Sequence, residues 1–501
     1  KLISTDKEVL EDETTLYTLV TALSHYPCIL KGDYDYTINE CTKCGFGPLT
    51  KNNYSSIDPN RFPLNYSTEA TTLQDIIQQF LIPKLETQQN PLLCCNTLLL
   101  IFNFYASFLP MADMQDHNIL NFLLRLLATN DNRDVRMLVA RILPLYLIQL
   151  KDDKLLDETF KYIFQKVTSI DFSSQHRLHF GESTIRAVVE LATVSTGERL
   201  CAIYFKLVDW LGEQNEQHLN YVYCGILNLA SAKSLPPHKL LSPYLPSVAE
   251  IIIKKPQVFE RIIKVLMVTK NYFLNRTKEY TVPRILEYYK DPTLLTQIAN
   301  AAGLEVGKLL ANCLPRILAT YLTKESVNER YIMKVLSSVC PDYKMIHTEE
   351  LFTRIGDITW YVLLEIQMDE FGNIRNLANI TRALECVCKN VSLRKNGSEL
   401  TKNNSINDLI EDQVLLLVQK FSDVTHSSRG AKPYLELKNS FYAIEFLIKG
   451  HIDAITSALG QLSTCLQATL EEPNFHVLSL RCWNELIKKV PPSHLISLID
   501  I

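Results

Sequence analysis

Apolar side chains recur at every third or fourth position over most of the chain, and short polar segments separate the runs. The clearest example is residues 117–150, where one apolar run stops at Asn130, Asp131 and Asn132 and a second run follows. Short Asn and Asp side chains bond to the nearby backbone and compete with helix formation. The apolar positions on either side have helical spacing: Ile119, Leu120, Leu123, Leu126 and Leu127, then Val135, Leu138, Val139 and Ile142. The pattern predicts two amphipathic helices packed as an antiparallel hairpin.

Asp131 in the turn and Arg136 at the head of the second helix resemble the bend of a HEAT repeat. In that repeat the acid and the arginine pair with neighbouring repeats; the alternative is an ordinary helical hairpin with an incidental Asp and Arg. One hairpin cannot bury its apolar faces alone, so it needs neighbours on both sides. Hairpins follow one another about every 40 residues, which is the length of HEAT units. The sequence therefore predicts an all-α fold, an α-α superhelix of the HEAT type.

Further helices are predicted at 155–167, 183–194, 199–211, 218–232, 304–322, 327–339, 351–366, 374–391, 409–421, 440–449, 452–470 and 475–490. A helix that begins at residue 72 is expected to end at Pro83, because proline cannot continue it. Segment 10–30 could hold one helix, and the following stretch is rich in turn-forming residues and is predicted to be a loop. Segment 392–407 is polar and is the best internal boundary. Four regions result: 1–70, poorly defined; 71–391, solenoid; 392–407, loop; 408–501, a final helical region.

Residues 91–112 contain no charged side chain and are nearly long enough to span a bilayer. Asn96 and Asn103 interrupt this segment, and Pro110 ends it. A fully buried inner helix of a solenoid has the same composition. We therefore favour a buried helix and expect no membrane partner.

Composition narrows the class of protein. Apolar residues make up 47% of the chain, and only 15 of 501 residues are glycine, which favours helices over hairpin-rich sheets. The net charge of −4 gives no general attraction to nucleic acid or membranes, although short basic runs could gather on a concave surface. The 13 cysteines lie mostly in apolar runs, which is typical of reduced thiols in the cytosol or nucleus. Because the first residue is lysine, we expect a piece of a longer protein.

Catalytic and metal-binding motifs are missing from the sequence. It contains no phosphate-binding glycine loop, no H-E-x-x-H, no G-x-S-x-G and no kinase signature set. Cys41 and Cys44 form a single C-x-x-C pair, which supplies half of the four ligands that zinc requires, and no second pair follows. An incidental pair of loop cysteines is favoured over a metal site. We therefore expect no catalytic, cofactor-binding or metal-binding residue in this chain.

Three stretches resemble the middle helical region of ATR-type checkpoint kinases, in the fungal branch. The proline-punctuated segment 234–292 comes first, and Glu350-Leu-Phe-Thr-Arg-Ile-Gly356 resembles the entry to the UME region of these kinases. Segment 409–500 resembles UME itself, and 458–490 fits best, with Leu462, Cys482 and Trp483 in place. These are helix-packing motifs, and their order along the chain strengthens the resemblance.

The resemblance implies a large nuclear serine/threonine protein kinase of the phosphatidylinositol-3-kinase-like group. Such a kinase works with an ATRIP-type adaptor, responds to single-stranded DNA through its binding protein, and can form a homodimer of heterodimers. ATP and Mg would bind in a kinase domain outside this chain. The chain itself would be a scaffold in the nucleus that binds the adaptor and supports assembly, with Asp131, Arg136, Leu462, Cys482 and Trp483 as structural residues.

A free-standing HEAT adaptor, such as a nuclear transport receptor, is the alternative. A transport receptor would carry a much stronger acidic balance than −4. An enzyme built on helices lacks any group of residues to support it.

Overall fold

In the computed structural model the chain divides into two compact units, Lys1–Leu235 and Pro236–Ile501. The structure describes residues 12–30, 34–35, 40–41, 74–87, 90–107, 118–148, 150, 152–172, 177–212, 215–241, 248–249, 251, 253, 258–288, 293–324, 334, 336–337, 354–369, 372–395, 405–426, 434–472 and 475–494.

The first unit is built from helices. Its helices are α1 (Glu13–Leu30), α2 (Ile82–Thr87), α3 (Pro91–Ser107), α4 (Asn118–Thr129), α5 (Arg133–Ile142), α6 (Leu145–Ile148), α7 (Asp153–Thr168), α8 (Leu178–Val194), α9 (Gly197–Trp210) and α10 (Glu216–Ala232). Within the segment predicted as a loop, two short strands, β1 (Tyr34–Asp35) and β2 (Glu40–Cys41), pair antiparallel.

Alternate helices of the first unit stack on one another. Helix α3 packs on α5, α5 on α8 and α8 on α10, while α4, α7 and α9 pair with the helix that follows each of them. Asn132 begins α5, because its side chain accepts hydrogen bonds from the backbone N–H groups of Asp134 and Val135. Ile119, Leu123, Val135, Val139 and Ile142 of the predicted hairpin are fully buried. Burying each such side chain contributes about 1.5–3 kcal/mol, which neither helix could obtain alone.

The uncharged segment forms α3, which packs between α1 and α5. Its side chains Leu93, Leu98 and Ile101 are completely buried. None of the helices in the described ranges combines the length and the apolar character needed to cross a membrane.

Pro83 does not end its helix, contrary to the prediction. Residues Ile76–Leu81 form a π-helix, in which the N–H of Ile82 bonds to the carbonyl of Ile77. Helix α2 begins directly afterwards, so Pro83 falls in its first turn. Proline is tolerated there because N–H groups of a first turn have no intrahelical partner.

The second unit is also helical in its described part. Its helices are α11 (Pro237–Leu241), α12 (Val258–Leu266), α13 (Lys270–Tyr288), α14 (Thr293–Ala302), α15 (Val306–Leu322), α16 (Ile355–Leu364), α17 (Leu377–Lys395), α18 (Ile406–His426), α19 (Tyr434–Gly450), α20 (Ile452–Ile455), α21 (Leu459–Leu470) and α22 (His476–Lys489). Helices α13, α15, α16, α19 and α22 pack on one another in that order. Helices α14, α17, α18 and α21 pair with members of this row.

The predicted helix 452–470 is interrupted by a 3-10 turn at Thr456–Ala458. The hydroxyl of Thr456 donates to the carbonyl of Asp453 at 2.6 Å, and that of Ser457 donates to the carbonyl of Ala454 at 2.8 Å. Such bonds to the third preceding carbonyl compete with helical bonds and tighten the turn.

Helix α17 extends beyond the predicted end at residue 391, to Lys395, and α18 begins at Ile406, so both helices enter the predicted loop 392–407. Cys44, most of the predicted helix 327–339 and residues 396–404 of that loop lie outside the described residues. The four predicted regions stay a prediction.

Candidate functional site

Arg136 joins two neighbouring hairpins of the first unit. Its side chain is 1% exposed. Nη1 donates to the carbonyls of Asn130 and Asp131 at 2.7 and 2.9 Å, within its own hairpin. Nε donates to Ser183 Oγ at 3.0 Å and Nη2 to the carbonyl of His179 at 3.0 Å, both on α8 of the next hairpin. The guanidinium also lies 4.4 Å from the centroid of the Phe180 ring. This one side chain therefore connects the bend of the α4–α5 hairpin to α8.

Asp131 contributes to this junction through its backbone. Its carbonyl accepts from Arg136, while the residue itself is exposed and its carboxylate forms no ion pair with any described side chain. Burial lowers the pKa of Arg136, and the nearby charge of Asp131 opposes that shift. A second, exposed link is the pair between Arg133 and Glu182, with N–O distances of 2.7 and 2.6 Å. The connection to the neighbouring hairpin is thus made by arginines and not by Asp131.

The three UME-type residues lie on α21 and α22. Leu462 and Cys482 are completely buried, and the thiol of Cys482 donates to the carbonyl of Phe441 at 3.6 Å. Burial raises the pKa of Cys482, so the thiol is unreactive. Trp483 is only half-buried, and its indole N–H has no hydrogen-bond partner in the described part of the chain. Leu462 and Cys482 therefore belong to the core of the second unit, and Trp483 lies at its margin.

The entry to this region has a specific geometry at Arg354 and Gly356. Pro315 lies inside α15 and has no N–H to bond the carbonyl of Ala311, four residues earlier. Arg354 Nη1 donates to that carbonyl instead, at 3.0 Å. At Gly356 a Cβ atom would come within 2.0 Å of Leu416 Cδ2, so α16 and α18 cross closely there. Residues 350–353 of the motif lie outside the described residues.

Arg316 on α15, a largely buried arginine, lies where four helices of the second unit meet. Its Nη1 is 3.4 Å from Glu436 Oε2 on α19 and 4.0 Å from Glu279 Oε2 on α13. Its guanidinium carbon lies 4.3 Å from the ring centroid of Tyr280 on α13 and 5.1 Å from that of Tyr361 on α16. The hydroxyl of Tyr280 donates to Glu436 Oε2 at 2.6 Å. Arg316 is therefore held by carboxylates and aromatic rings from three other helices.

Charge and burial shift the pKa values of Arg316 and of the two tyrosines. Burial opposes the charge of Arg316, but Glu436 and the other neighbours outweigh it and raise the pKa of the guanidinium. Burial raises the pKa of Tyr361 to about 12, and burial together with Glu436 raises the pKa of Tyr280. Both phenols therefore stay protonated at neutral pH. The cluster can position groups and bind ions, and its protonated phenols offer no nucleophile at neutral pH.

The cluster forms one wall of a cleft of about 200 Å³. Its described lining combines charged, polar and apolar side chains: Glu279, Tyr280, Pro283, Arg284, Arg316, Thr320, Tyr361, Leu364, Glu365, Leu435, Glu436 and Asn439. This site is not visible in the local sequence pattern, because Tyr280 and Glu436 are 156 residues apart. The one local signal was Arg316 itself, a lone charge within the apolar run 309–322.

The described ranges contain no candidate metal site, and two of their buried thiols have raised pKa values. No group of three or more His, Cys, Asp or Glu residues there is arranged to hold a metal ion. Burial raises the pKa values of Cys94 and Cys313 to about 12. Buried thiols with such pKa values pack as small apolar groups.

Two family models match the chain. The model described as MEC1-like HEAT repeats matches residues 1–290, and the UME (NUC010) domain matches residues 409–501. Together with the stacked helices of each unit, they confirm the predicted fold, HEAT repeats followed by a UME region. A solved structure described as an engineered protein aligns over 97% of this chain and 98% of its own, with 14% identity and a TM-score of 0.28, which is too low to inform on the fold.

The chain is also similar in sequence to several individual protein kinases of fungi. The chain is 98% identical, over its whole length, to 22% of the serine/threonine-protein kinase MEC1 of Candida albicans. It is 24% identical over 98% of its length to 22% of MEC1 from Candida glabrata. It is 23% identical over 73% of its length to 15% of the protein kinase rad3 of Schizosaccharomyces pombe. The chain thus spans about a fifth of the first two relatives, and the predicted kinship with ATR-type kinases of fungi is confirmed. The chain belongs to the MEC1-like HEAT-repeat family.

Proposed function

We propose that this chain is a helical scaffold segment of a serine/threonine protein kinase of the DNA-damage and replication-stress checkpoint. The observation that carries the proposal is the 98% identity, over the whole chain, to part of a protein named serine/threonine-protein kinase MEC1. Kinase activity, with its ATP and Mg, would belong to the whole protein. The sequence of this chain contains no kinase signature.

As a scaffold, the segment would bind an ATRIP-type adaptor and support assembly of the kinase. Two features favour this role. Stacked helical repeats present long continuous surfaces, which is how such proteins bind other proteins. In addition, buried polar junctions such as Arg136 fix one hairpin relative to the next, so a surface shared by several hairpins keeps its shape. Action in the nucleus, a homodimer of kinase–adaptor pairs and indirect contact with single-stranded DNA form part of the same proposal.

The test is affinity capture of the full-length kinase from nuclear extract, with partners identified by mass spectrometry. Wild type is compared with a version that lacks residues 181–501 and with the point variant Arg136→Ala. Arg133→Ala serves as the matched control, because it removes an exposed link between the same two helices. We expect a coiled-coil adaptor with wild type and Arg133→Ala, and less or none with the deletion and Arg136→Ala.

Each eluate is also assayed for phosphorylation of a generic peptide substrate. Retained basal kinase activity with loss of the adaptor would support a scaffold role for this segment. Capture of import cargoes and a small GTPase in place of the adaptor would overturn the checkpoint proposal and favour a transport receptor. An adaptor that is retained in full by the deletion would overturn the scaffold role.

A further inference from the structure

The cleft beside Arg316 has features of a binding site that the scaffold role does not explain. Its open volume is about 200 Å³, whereas a single water needs only about 10–15 Å³ of such space. The space therefore admits a long side chain. The walls come from α13, α15, α16 and α19, which are rigid helices of one unit.

The charges in the cleft favour a cation. Its described lining holds three carboxylates, Glu279, Glu365 and Glu436, and two guanidinium groups, Arg284 and Arg316. Arg316 is already paired with Glu436, and Tyr280 donates to the same carboxylate. With three carboxylates against two guanidinium groups, the lining carries one net negative charge, so it disfavours an entering anion and favours a cation.

Glu365 is the carboxylate of the lining that has no cation beside it among the described side chains. It follows α16 and is half-buried in the wall. Its carboxylate receives one long hydrogen bond, from Thr320 Oγ1 at 3.5 Å, and has no cation within ion-pair distance among the described side chains. Asn439 offers a second acceptor, because its amide nitrogen is committed to the carbonyl of Leu364 at 2.8 Å. A half-buried carboxylate with so few donors gains most from a charged partner.

We propose that this cleft binds an arginine side chain presented by a partner protein. The guanidinium would bond to Glu365 and Asn439, and its aliphatic stem would lie against Leu364, Leu435 and Pro283. Arginine fits better than lysine because its planar fork can bond to two acceptors at once and pack against aromatic rings, as Arg316 does with Tyr280 and Tyr361. A folded partner supplies this group at a fixed point on its surface, which suits a cleft built from four rigid helices.

The probe is an acetylated and amidated Gly-Arg-Gly peptide, titrated into the 501-residue chain by calorimetry and by saturation-transfer NMR. The control peptide carries citrulline, which has nearly the same shape and no charge. We expect the arginine peptide to bind and the citrulline peptide to bind at least tenfold more weakly, because hydrogen bonds between charged groups contribute more than a factor of ten. Equal binding of the two peptides, or no binding of either at 10 mM, would overturn the proposal.

The variant Glu365→Gln keeps the shape of the side chain and removes its charge. It should lower the affinity for the arginine peptide about tenfold. Glu411→Gln, an exposed position on α18 away from the cleft, should leave affinity unchanged. Leu435→Trp fills the cleft without changing its charge and should also abolish binding. Because the two variants act in different ways, one of them still tests the proposal if the other unfolds. Spermidine and inorganic phosphate are tested in parallel. Tighter binding of either one than of the arginine peptide, sensitive to Glu365→Gln, would assign the cleft to a small ion and refute a protein partner.

Because no adaptor and no kinase assay enter this experiment, its result is independent of the proposed scaffold function.

Discussion

Replacing Arg136 by alanine should destabilise the first unit more than any surface change on the same helices. The substitution removes the four buried hydrogen bonds by which Arg136 holds α5 to α8 and to the α4–α5 bend, those to Ser183, His179, Asn130 and Asp131. These acceptors are largely shielded from water, because the side chain that they bond is 1% exposed. The carbonyls left behind would lose their partners.

The expected loss is about 4 kcal/mol. Removing one partner of a buried charged network costs about 3–5 kcal/mol, and the individual bonds are not additive. Arg136→Met keeps most of the apolar volume but not the donors, so we expect it to recover about 1 kcal/mol of this loss. Arg133→Ala breaks the exposed pair with Glu182 between the same two helices, where the Arg133 side chain is 56% exposed. Exposed pairs contribute below about 1 kcal/mol.

Urea unfolding monitored by circular dichroism measures the three variants against wild type. In a unit of this size, 4 kcal/mol corresponds to a fall in melting temperature of about 8–16 °C. Hydrogen exchange then tests whether the loss is local: amides of α5 and α8 should exchange faster, while those of α19 and α22 should be unchanged. Equal destabilisation by Arg136→Ala and Arg133→Ala, or wild-type stability of Arg136→Met, would refute the reasoning.

Three further predictions use the same unfolding assay. Leu462→Ala should cost about 2–5 kcal/mol because the side chain is fully buried, whereas Ile487→Ala, at a position 56% exposed, should cost less than about 0.5 kcal/mol. Arg354→Ala should lower the free energy of unfolding by about 1–2 kcal/mol in the wild type. In a Pro315→Ala background the loss should be smaller, because the new backbone N–H at position 315 can bond to the Ala311 carbonyl that otherwise accepts from Arg354. Additive effects of the two substitutions would contradict this. The hydrogen bond from Arg133 lowers the pKa of Glu182, so the pair stabilises the fold above the unfolded pKa of about 4.3 and loses this effect as the pH falls through the lower folded pKa. Glu182→Gln should therefore be less stable than wild type at pH 7 and equally stable near pH 2. A difference in stability that does not change with pH would count against the pair.

Most of the helices could be predicted from the sequence because each one buries a stripe of apolar residues. The hairpin at 117–150 shows this well: a polar turn of three residues separates two runs, and the structure has α4, Asn132 as a cap, and α5 at those positions. Periodicity depends on the side chains of the helix itself, so it is visible without knowing the neighbours. The fold class followed from the same information.

Details that depend on distant residues could not be predicted. The sequence predicts that a helix ends at Pro83, because the pattern of apolar positions does not indicate the π-helix that precedes it. Trp483 is predicted to be a structural residue like Leu462, but whether an aromatic residue lies inside or at the margin depends on the helix that covers it. The cleft requires α13, α15, α16 and α19 to meet, and no local spacing encodes that meeting.

The scarcity of glycine suggests why so many junctions in this chain use cations. The last carbonyls of a helix have no intrahelical partner, and a glycine beyond the helix end commonly allows the backbone to satisfy them. Here side chains from elsewhere in the stack often do so: Arg136 for the carbonyls after α4, Lys233 for Thr193 at the end of α8, and Arg382 for Leu322 at the end of α15. The negative end of the helix dipole favours these cations. Because Lys233 directly follows α10 and Arg382 belongs to α17, each cation comes from a later hairpin than the helix that it caps, so closing one hairpin requires the next to be in place. Such capping couples the stability of neighbouring repeats, which a glycine within the same turn could not do.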